Sequence, residues 1–202
     1  MISTIVFDVG DVLVDFRYED HMRDLGFSEE AVRTLSEKMV LTEFWGEMDL
    51  GLRTEQDARE KFCRELPELR QEVIRFWENT QGLVREYPYA QPLLHSLKAL
   101  GYGVYVLSNY PTETAEKHWP TFRFLPEADG YLISGFEKIA KPDPKFYRLL
   151  EERFDVNLSE CLFIDDREKN IAGAEAVGMK GLLFTGYEKL LQDLEALGIK
   201  VN

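Results

Sequence analysis

Near the start of the chain, residues 5–15 read IVFDVGDVLVD. The first three side chains, Ile5 to Phe7, form a short β-rich apolar run, which predicts a strand buried on both faces. The run stops at Asp8, and Gly10 breaks the strand two residues later. A carboxylate at the C-terminal end of a buried parallel strand occupies the place where open α/β sheets bind ligands. A strand followed by an ordinary polar turn would have the same pattern. Asp8 is therefore a candidate functional residue only if other strands also end in polar residues.

Length, composition and charge exclude several classes of protein. The 202 residues fit one medium domain, or one domain with an insertion, and the hydrophobic share of 45% is ordinary for a globular protein. The formal net charge of −13 would repel a phosphate backbone, so we predict no nucleic-acid partner. No apolar run approaches the roughly 20 residues that cross a bilayer, so we predict no membrane span.

The cysteines and the N-terminal residues favour a cytoplasmic protein. Cys63 and Cys161 lie far apart in the pattern and form no CxxC or Cys/His cluster, which is typical of reduced, structural thiols. The chain enters its first strand almost at once, without the basic segment and apolar core of a secretory signal. Nothing in the pattern specifies an oligomeric state.

Residues 16–87 are predicted to be helical throughout, with no convincing strand. Ser28 is predicted to be the N-cap of a helix over 29–40. Thr54 and Asp57 resemble a capping box that opens a second helix. Phe44 and Trp45 are interpreted as packing residues of this helical block.

From residue 88 the pattern changes to alternating strands and helices. After the first strand over 2–8, the predicted strands lie at 104–107, 131–134, 161–164 and 181–184. Helices are predicted between them and after the last, and five strands separated by helices predict a parallel α/β sheet with right-handed crossovers. We therefore predict a Rossmann-like core over 1–15 and 88–202, with 16–87 inserted as an α-helical cap over the strand ends.

Polar residues follow the predicted strands at four places: Asp8, Ser108-Asn109, Lys141, and Asp165-Asp166. The carboxyl ends of parallel strands share one edge of the sheet, so these side chains are expected to converge. Three carboxylates in one crevice would repel each other unless a cation neutralised them, and oxygen ligands without His or Cys indicate Mg²⁺.

A lysine and a serine hydroxyl beside such a metal suit the oxygens of a phosphoryl group. A carboxylate that faces a phosphate can attack it and form an aspartyl-phosphate, which water then hydrolyses. The predicted substrate is therefore a small phosphorylated molecule.

These four segments, in this order and each following a strand, resemble the four motifs of the haloacid dehalogenase-like (HAD) hydrolase superfamily. The resemblance covers essentially the whole chain and includes a helical cap of the first type after motif one. It implies a sheet order of 5-4-1-2-3, with Asp8 at its centre.

The resemblance also implies roles for the residues that touch the phosphate. Asp8 would be the nucleophile. Ser108 and Asn109 would hold the transferring phosphoryl group, and Lys141 would neutralise the nucleophile and the phosphate.

The remaining roles concern the metal. Asp8 would also be a metal ligand, and Gly10 would offer its backbone carbonyl. Asp166 matches the direct metal ligand of motif four, and Asp165 would assist directly or through water. Asn170 would contact these ligands without touching the metal.

Motif one departs from the usual phosphatase pattern Asp-x-Asp, whose second Asp protonates the leaving alkoxide and later activates water. Here that position is Gly10. Asp11 lies one residue further, and this offset should point its side chain elsewhere. The sequence closely resembles a branch of the family with Asp-x-Gly, which includes bacterial sugar phosphatases, among them enzymes acting on glucose 1-phosphate. Since general acid–base help contributes about 10²–10⁴-fold, we expect a slow or selective phosphatase.

Three functions stay open. The first is a Mg²⁺-dependent phosphatase for a small phosphorylated metabolite, such as a sugar phosphate. The second is a metal-independent dehalogenase-type hydrolase, in which Asp165-Asp166 would have no use and a bulky residue usually stands at the position of Gly10. The third is a non-catalytic HAD-fold module that binds a metabolite or partner. The cap side chains decide the substrate, and no motif identifies it.

Overall fold

A five-stranded parallel sheet forms the centre of the molecule. The structure is a computed structural model and describes residues 1–201. The strands are β1 (Thr4–Phe7), β2 (Val14–Phe16), β3 (Val84–Glu86), β4 (Gly103–Ser108), β5 (Gly130–Ile133), β6 (Cys161–Asp165) and β7 (Lys180–Leu183). The sheet has the order β5-β4-β1-β6-β7, and each neighbouring pair is parallel. If only the strands of this sheet are numbered in chain order, β1, β4, β5, β6 and β7 become strands 1 to 5. Read from the β7 edge, the order is then 5-4-1-2-3, with β1 at the centre.

Helices cover both faces of this sheet. The helices within residues 1–201 are α1 (Tyr18–Asp24), α2 (Glu29–Leu35), α3 (Glu43–Asp49), α4 (Glu55–Glu65), α5 (Arg70–Glu78), α6 (Ala90–Ala99), α7 (Thr112–His118), α8 (Ser134–Glu137), α9 (Pro144–Phe154), α10 (Glu168–Glu175) and α11 (Tyr187–Ala196). Of these, α1 to α5 belong to a separate block between β2 and β3. Along β1, Ile5 and Phe7 pack in one core with side chains of α6 and α11, whereas Val6 packs in another with side chains of α9 and α10. Both faces of β1 are therefore buried, which explains the continuous apolar run.

The helical block between Tyr18 and Leu83 has a third core of its own. Ser28 caps α2 by accepting a hydrogen bond from the Ala31 N–H, and the capping box at the start of α4 forms as predicted. The predicted helix 29–40 is α2 followed by a π-helical turn over Ser36–Val40. Trp45 stacks on Trp77 and Phe44 packs edge-on against another ring, so the packing role predicted for these two aromatic residues is confirmed.

The prediction that 16–87 contains no strand was wrong at both ends of the block. The strands β2 and β3 pair antiparallel, with Val14 opposite Glu86 and Phe16 opposite Val84. Each strand has three residues, too few for an alternating pattern to show, and each depends on a partner about seventy residues away. The two chain crossings between the sheet and the helical block therefore form one ribbon, which we call the β2–β3 ribbon.

The histidines and cysteines occupy places that fit packing and surface roles. His21 and His118 are buried and His95 is exposed, while Cys63 and Cys161 are buried and unpaired. Within residues 1–201, no helix combines the length and the apolar character that crossing a membrane requires. The cytoplasmic location stays a prediction.

Candidate active site

Three acidic residues meet at the carboxyl edge of the sheet. Asp8 directly follows β1, Asp165 ends the neighbouring strand β6, and Asp166 comes next in the chain. Each offers a carboxylate oxygen, and these oxygens lie within 4.8 Å of one another. The convergence expected from the parallel topology is therefore present.

Lys141 joins this group from the loop between α8 and α9. Its Nζ lies 2.8 Å from Asp8 Oδ1 and 2.7 Å from Asp165 Oδ2, and its side chain is 1% exposed. Burial alone would lower the pKa of this ammonium group, but the carboxylates of Asp8 and Asp165 outweigh that effect and raise it above the ordinary lysine value. Lys141 is thus a permanent positive charge inside the crevice.

The environment of Asp8 makes its carboxyl easy to protonate when no other cation is near. Burial raises its pKa to about 7, Lys141 opposes this rise, and Asp165 adds to it. The Val9 N–H also donates to Asp8 Oδ1 at 2.7 Å. A divalent cation beside Asp8 would favour the ionised form that a nucleophile needs.

The two carboxylates after β6 have different surroundings. Asp165 is fully buried, and the side-chain amide of Asn170 donates to both of its oxygens at 3.0 Å. The Arg167 N–H donates to Asp165 Oδ1 at 2.8 Å. Asp166 is only partly buried, and burial raises its pKa. Asp166 is therefore the carboxylate of the pair that a cation in the crevice can reach most directly. Asn170 contacts Asp165, and its role in supporting a metal site stays a prediction.

Ser108 ends β4 and Asn109 follows it, and their two side chains make different contacts. The buried Ser108 hydroxyl has no hydrogen-bond partner within residues 1–201. The Asn109 side chain accepts from the Lys141 N–H at 2.8 Å and donates to the Lys141 carbonyl at 3.0 Å. The Ser108 hydroxyl is thus available to a ligand, whereas the Asn109 amide fixes the backbone of Lys141.

The loop after β1, which contains Gly10 and Asp11, forms a tight turn. The Val9 carbonyl accepts from the backbone N–H groups of Leu13 and Val14 at 2.8 and 2.9 Å, which closes a tight turn. Asp11 has φ 56° in this turn, and its Oδ1 accepts from the Phe16 N–H at 3.1 Å. Asp11 Oδ1 is therefore tied to the turn, and that Asp11 does not take the place of the missing acid stays a prediction.

The donor set fits a hard divalent cation. Asp8, Asp165 and Asp166 supply oxygen ligands only, and a buried lysine and an orphan hydroxyl stand beside them. Carboxylate oxygens without imidazole or thiolate favour Mg²⁺ or Ca²⁺ over transition metals.

One residue that the sequence did not single out lies close enough to the crevice for its charge to interact with the active-site group. Asp49, the last residue of α3, lies partly buried, and burial raises its pKa to about 7. The charges that act on its carboxyl include those of Asp8 and Lys141. The signal available in the sequence is weak: a carboxylate just before the helix-ending glycine Gly51.

Fold and site together define a class of enzyme, the haloacid dehalogenase-like hydrolases. The model of this family matches residues 2–178, and the chain belongs to it. The chain is similar to a sesquiterpene phosphatase of Aspergillus oryzae, with 27% identity over 95% of this chain and 94% of that one. It is also similar to a flavin mononucleotide hydrolase of Arabidopsis thaliana, with 29% identity over 98% of this chain and 78% of that one.

The similarities extend to a second chemistry and to solved structures. The (S)-2-haloacid dehalogenase 1 of a Pseudomonas species is 28% identical over 88% of this chain and 82% of that one. A HAD-family enzyme of Bacteroides thetaiotaomicron, solved with magnesium and inorganic phosphate, has a TM-score of 0.71 and 22% identity, covering 94% of this chain and 99% of that one. The family is thus established, and its relatives include both phosphatases and dehalogenases.

Proposed function

We propose that the protein is a Mg²⁺-dependent phosphatase that hydrolyses a small phosphorylated metabolite through an aspartyl-phosphate on Asp8. The observation that carries this proposal is the grouping of Asp8, Lys141 and the unpartnered Ser108 hydroxyl at one sheet edge. A nucleophile, a positive charge and a hydrogen-bond donor are the groups that phosphoryl transfer requires around phosphorus.

In the proposed reaction, the Asp8 carboxylate attacks phosphorus and the ester oxygen leaves. Lys141 offsets the charge of the transferring group, and the Ser108 hydroxyl donates to one of its oxygens. The Asn109 amide keeps the Lys141 backbone in place. Water then attacks the phosphorus of the aspartyl-phosphate, which releases inorganic phosphate and restores Asp8.

The metal would be held by Asp8 and Asp166, with the Gly10 carbonyl and Asp165 assisting. When bound, Mg²⁺ would supply positive charge that keeps Asp8 ionised and stabilises the charge on the phosphoryl oxygens. The hydrogen bonds from Asn170 to Asp165 support this assignment, because they fix the carboxylate behind the site.

The substrate is proposed to carry its phosphate on a comparatively good leaving group, as an anomeric sugar phosphate does. The reason is Gly10, which leaves motif one itself without a side chain that could donate a proton to the departing oxygen. The helical block over 16–87 is proposed to act as a cap on the core of 1–15 and 88–202, and its inner side chains would select the organic part of the substrate.

The dehalogenase alternative is supported by the similarity to a haloacid dehalogenase. In a dehalogenase, Asp166 and the unpartnered Ser108 hydroxyl would have no function, since that reaction needs no metal and transfers no phosphoryl group. The geometry therefore favours the phosphatase.

The test is a screen of phosphate monoesters and 2-haloacids, each with Mg²⁺ and with a chelator. We expect phosphate release that stops with the chelator and that falls to a small fraction in Asp8→Asn. The matched control is Asp15→Asn, a carboxyl of strand β2 in the ribbon. Metal-independent halide release would favour the dehalogenase, and no turnover with any compound would favour a binding module.

A further inference from the structure

The end of helix α3 leaves the core of the helical block and docks on the sheet edge that carries the active site. The Ser134 hydroxyl donates to the backbone carbonyl of Asp49, and the Tyr110 N–H donates to the same hydroxyl at 2.9 Å. Tyr110 directly follows Asn109. The position of Asp49 is therefore fixed relative to the loop that holds Ser108 and Asn109.

Two glycines make this docking possible. Gly51 has φ +60°, and a Cβ on it would lie 2.3 Å from the Gly135 carbonyl oxygen. A Cβ on Gly135 would lie 2.7 Å from the Tyr110 carbonyl oxygen. Lys138 Nζ also donates to the Gly51 carbonyl at 2.6 Å. The loop after α3 thus approaches the core more closely than side chains at these positions would allow.

The charged groups around Asp49 come from several elements. Asp8 and Lys141 belong to the active-site group, whereas Arg167 and Lys169 come from the start of α10. The Tyr110 hydroxyl also lies within reach of the Asp49 charge. The pKa of Asp49 rises to about 7, first because of burial and also because of Asp8, while the three cations oppose the rise. A carboxyl that the docked end of α3 holds beside the active-site group can act as an acid when protonated and as a base when ionised.

We infer that Asp49 supplies the proton-transfer group that motif one lacks at Gly10. This role rests on the proposed phosphatase function. Asp49 is contributed by the helical block, so the group would be complete only while the end of α3 is docked. Asp11 is the other carboxyl near motif one, and its hydrogen bond to the Phe16 N–H keeps it in the turn.

The proton passes through Asp49 in both halves of the reaction. As the bond from Asp8 to phosphorus forms and the ester bond breaks, protonated Asp49 gives its proton to the leaving oxygen, which departs as an alcohol. As water attacks the aspartyl-phosphate, ionised Asp49 takes a proton from it. The bond between Asp8 and phosphorus breaks with its electron pair on the Asp8 oxygen, so Asp8 is again a carboxylate and Asp49 is again protonated.

The experiment compares Asp49→Asn with wild type on aryl and alkyl phosphates whose leaving groups span a wide range of pKa, with Mg²⁺ present. The value of kcat/KM reports the steps up to departure of the leaving group. We expect Asp49→Asn to lower kcat/KM for alkyl phosphates by about 10²–10⁴-fold and for good aryl leaving groups much less. Glu47→Gln is the matched control, because Glu47 lies on the same helix with its side chain 42% exposed.

A second readout follows the other half of the reaction. Because Asp49→Asn also lacks the base that activates water, aspartyl-phosphate should accumulate in the variant after rapid mixing with an aryl phosphate and acid quenching. Equal losses of kcat/KM for every leaving group, or no loss at all, would overturn the role of Asp49 and leave the phosphatase intact. If the wild-type protein hydrolysed none of the esters, the proposed function itself would be refuted, and the role of Asp49 with it.

Discussion

Lys141 Nζ lies 2.7 Å from Asp165 Oδ2, and both side chains are almost completely buried. The same ammonium group lies 2.8 Å from Asp8. Removing one partner of a buried ion pair leaves an uncompensated charge, which costs far more than an exposed ion pair contributes. Lys141 therefore holds the two buried carboxylates of the site together.

The first prediction concerns the substitution Lys141→Met. Without metal, the free energy of unfolding should fall by about 3–5 kcal/mol, because Asp8 and Asp165 lose their counter-charge. Phosphatase activity should be lost as well. Denaturant unfolding in the presence of a chelator measures the first effect, and Lys145→Met at the exposed start of α9 is the control. Equal stability of the two variants would contradict the predicted cost of leaving Asp8 and Asp165 without the charge of Lys141.

The second prediction is a pH dependence of the metal-free stability. The folded-state pKa of Asp8 is raised to about 7, mainly by burial, above its unfolded value of about 3.9. A raised carboxyl pKa stabilises the fold fully below the unfolded pKa, and this contribution is lost as pH rises through the folded pKa. The free energy of unfolding should therefore decrease between about pH 4 and pH 7.

Denaturant titrations across this range, with chelator, would measure the slope. Asp8→Asn should make it shallower, since the amide does not titrate, and saturating Mg²⁺ should do the same in wild type. A slope that Asp8→Asn leaves unchanged would assign the effect to other groups, of which Asp49 is the first candidate.

The third prediction separates the two carboxylates after β6. Asp166→Ala should weaken Mg²⁺ binding strongly, because it removes the partly exposed ligand and leaves the core intact. Asp165→Ala should also lower stability, since Lys141 and Asn170 both lose their partner. Calorimetric titration with Mg²⁺ and thermal unfolding of both variants give the comparison. Unchanged Mg²⁺ affinity in Asp166→Ala would remove Asp166 from the ligand set.

The fourth prediction is that the helical block moves as a unit about the β2–β3 ribbon. Contacts hold it to α7 in this structure: the Lys117 Nζ lies 2.5 Å from Glu55 Oε2, and the His118 ring contacts the Thr80 carbonyl at 2.9 Å. A lid that closes would exclude water from the phosphoryl centre.

Hydrogen exchange with and without Mg²⁺ and orthovanadate, a phosphate analogue, tests this motion. Protection should increase in the ribbon and in the loop of residues 49–53, whereas the central strand β1 should not change. Identical exchange in both states would mean a rigid block.

Some of the site residues that were predicted from the sequence are placed by the sheet alone. Asp8 and Asp165 end adjacent parallel strands, so their meeting follows from topology and needs no knowledge of side-chain packing. Asp49 could not be found in this way, because its position depends on a hydrogen bond from Ser134 and on the close approach at Gly51. The β2–β3 ribbon could not be predicted for a similar reason, since each short strand is stabilised by a partner that is distant in the sequence.

The last prediction concerns Gly10. Its backbone lies outside the left-handed region, and a Cβ built on it meets no atom within 4 Å. An aspartate should therefore fit at this position without strain. If Asp49 is the proton donor, Gly10→Asp should restore activity to Asp49→Asn, because the new carboxyl stands where related phosphatases carry theirs. The recovery should grow with the pKa of the leaving group, up to the loss of about 10²–10⁴-fold that general acid catalysis can explain.

Gly10→Asn in the same Asp49→Asn background is the matched control, because asparagine has nearly the same shape as aspartate but no acidic proton. It should leave the dependence on the leaving group unchanged. In the wild-type background, Gly10→Asp should have a smaller effect, since Asp49 already donates the proton. A plot of the logarithm of the kcat/KM ratio, Gly10→Asp over Gly10→Asn, against leaving-group pKa decides the matter. A rising line in the Asp49→Asn background alone would show that the two carboxyls perform the same task, while a flat line in both backgrounds would mean that the proton reaches the leaving oxygen from neither position.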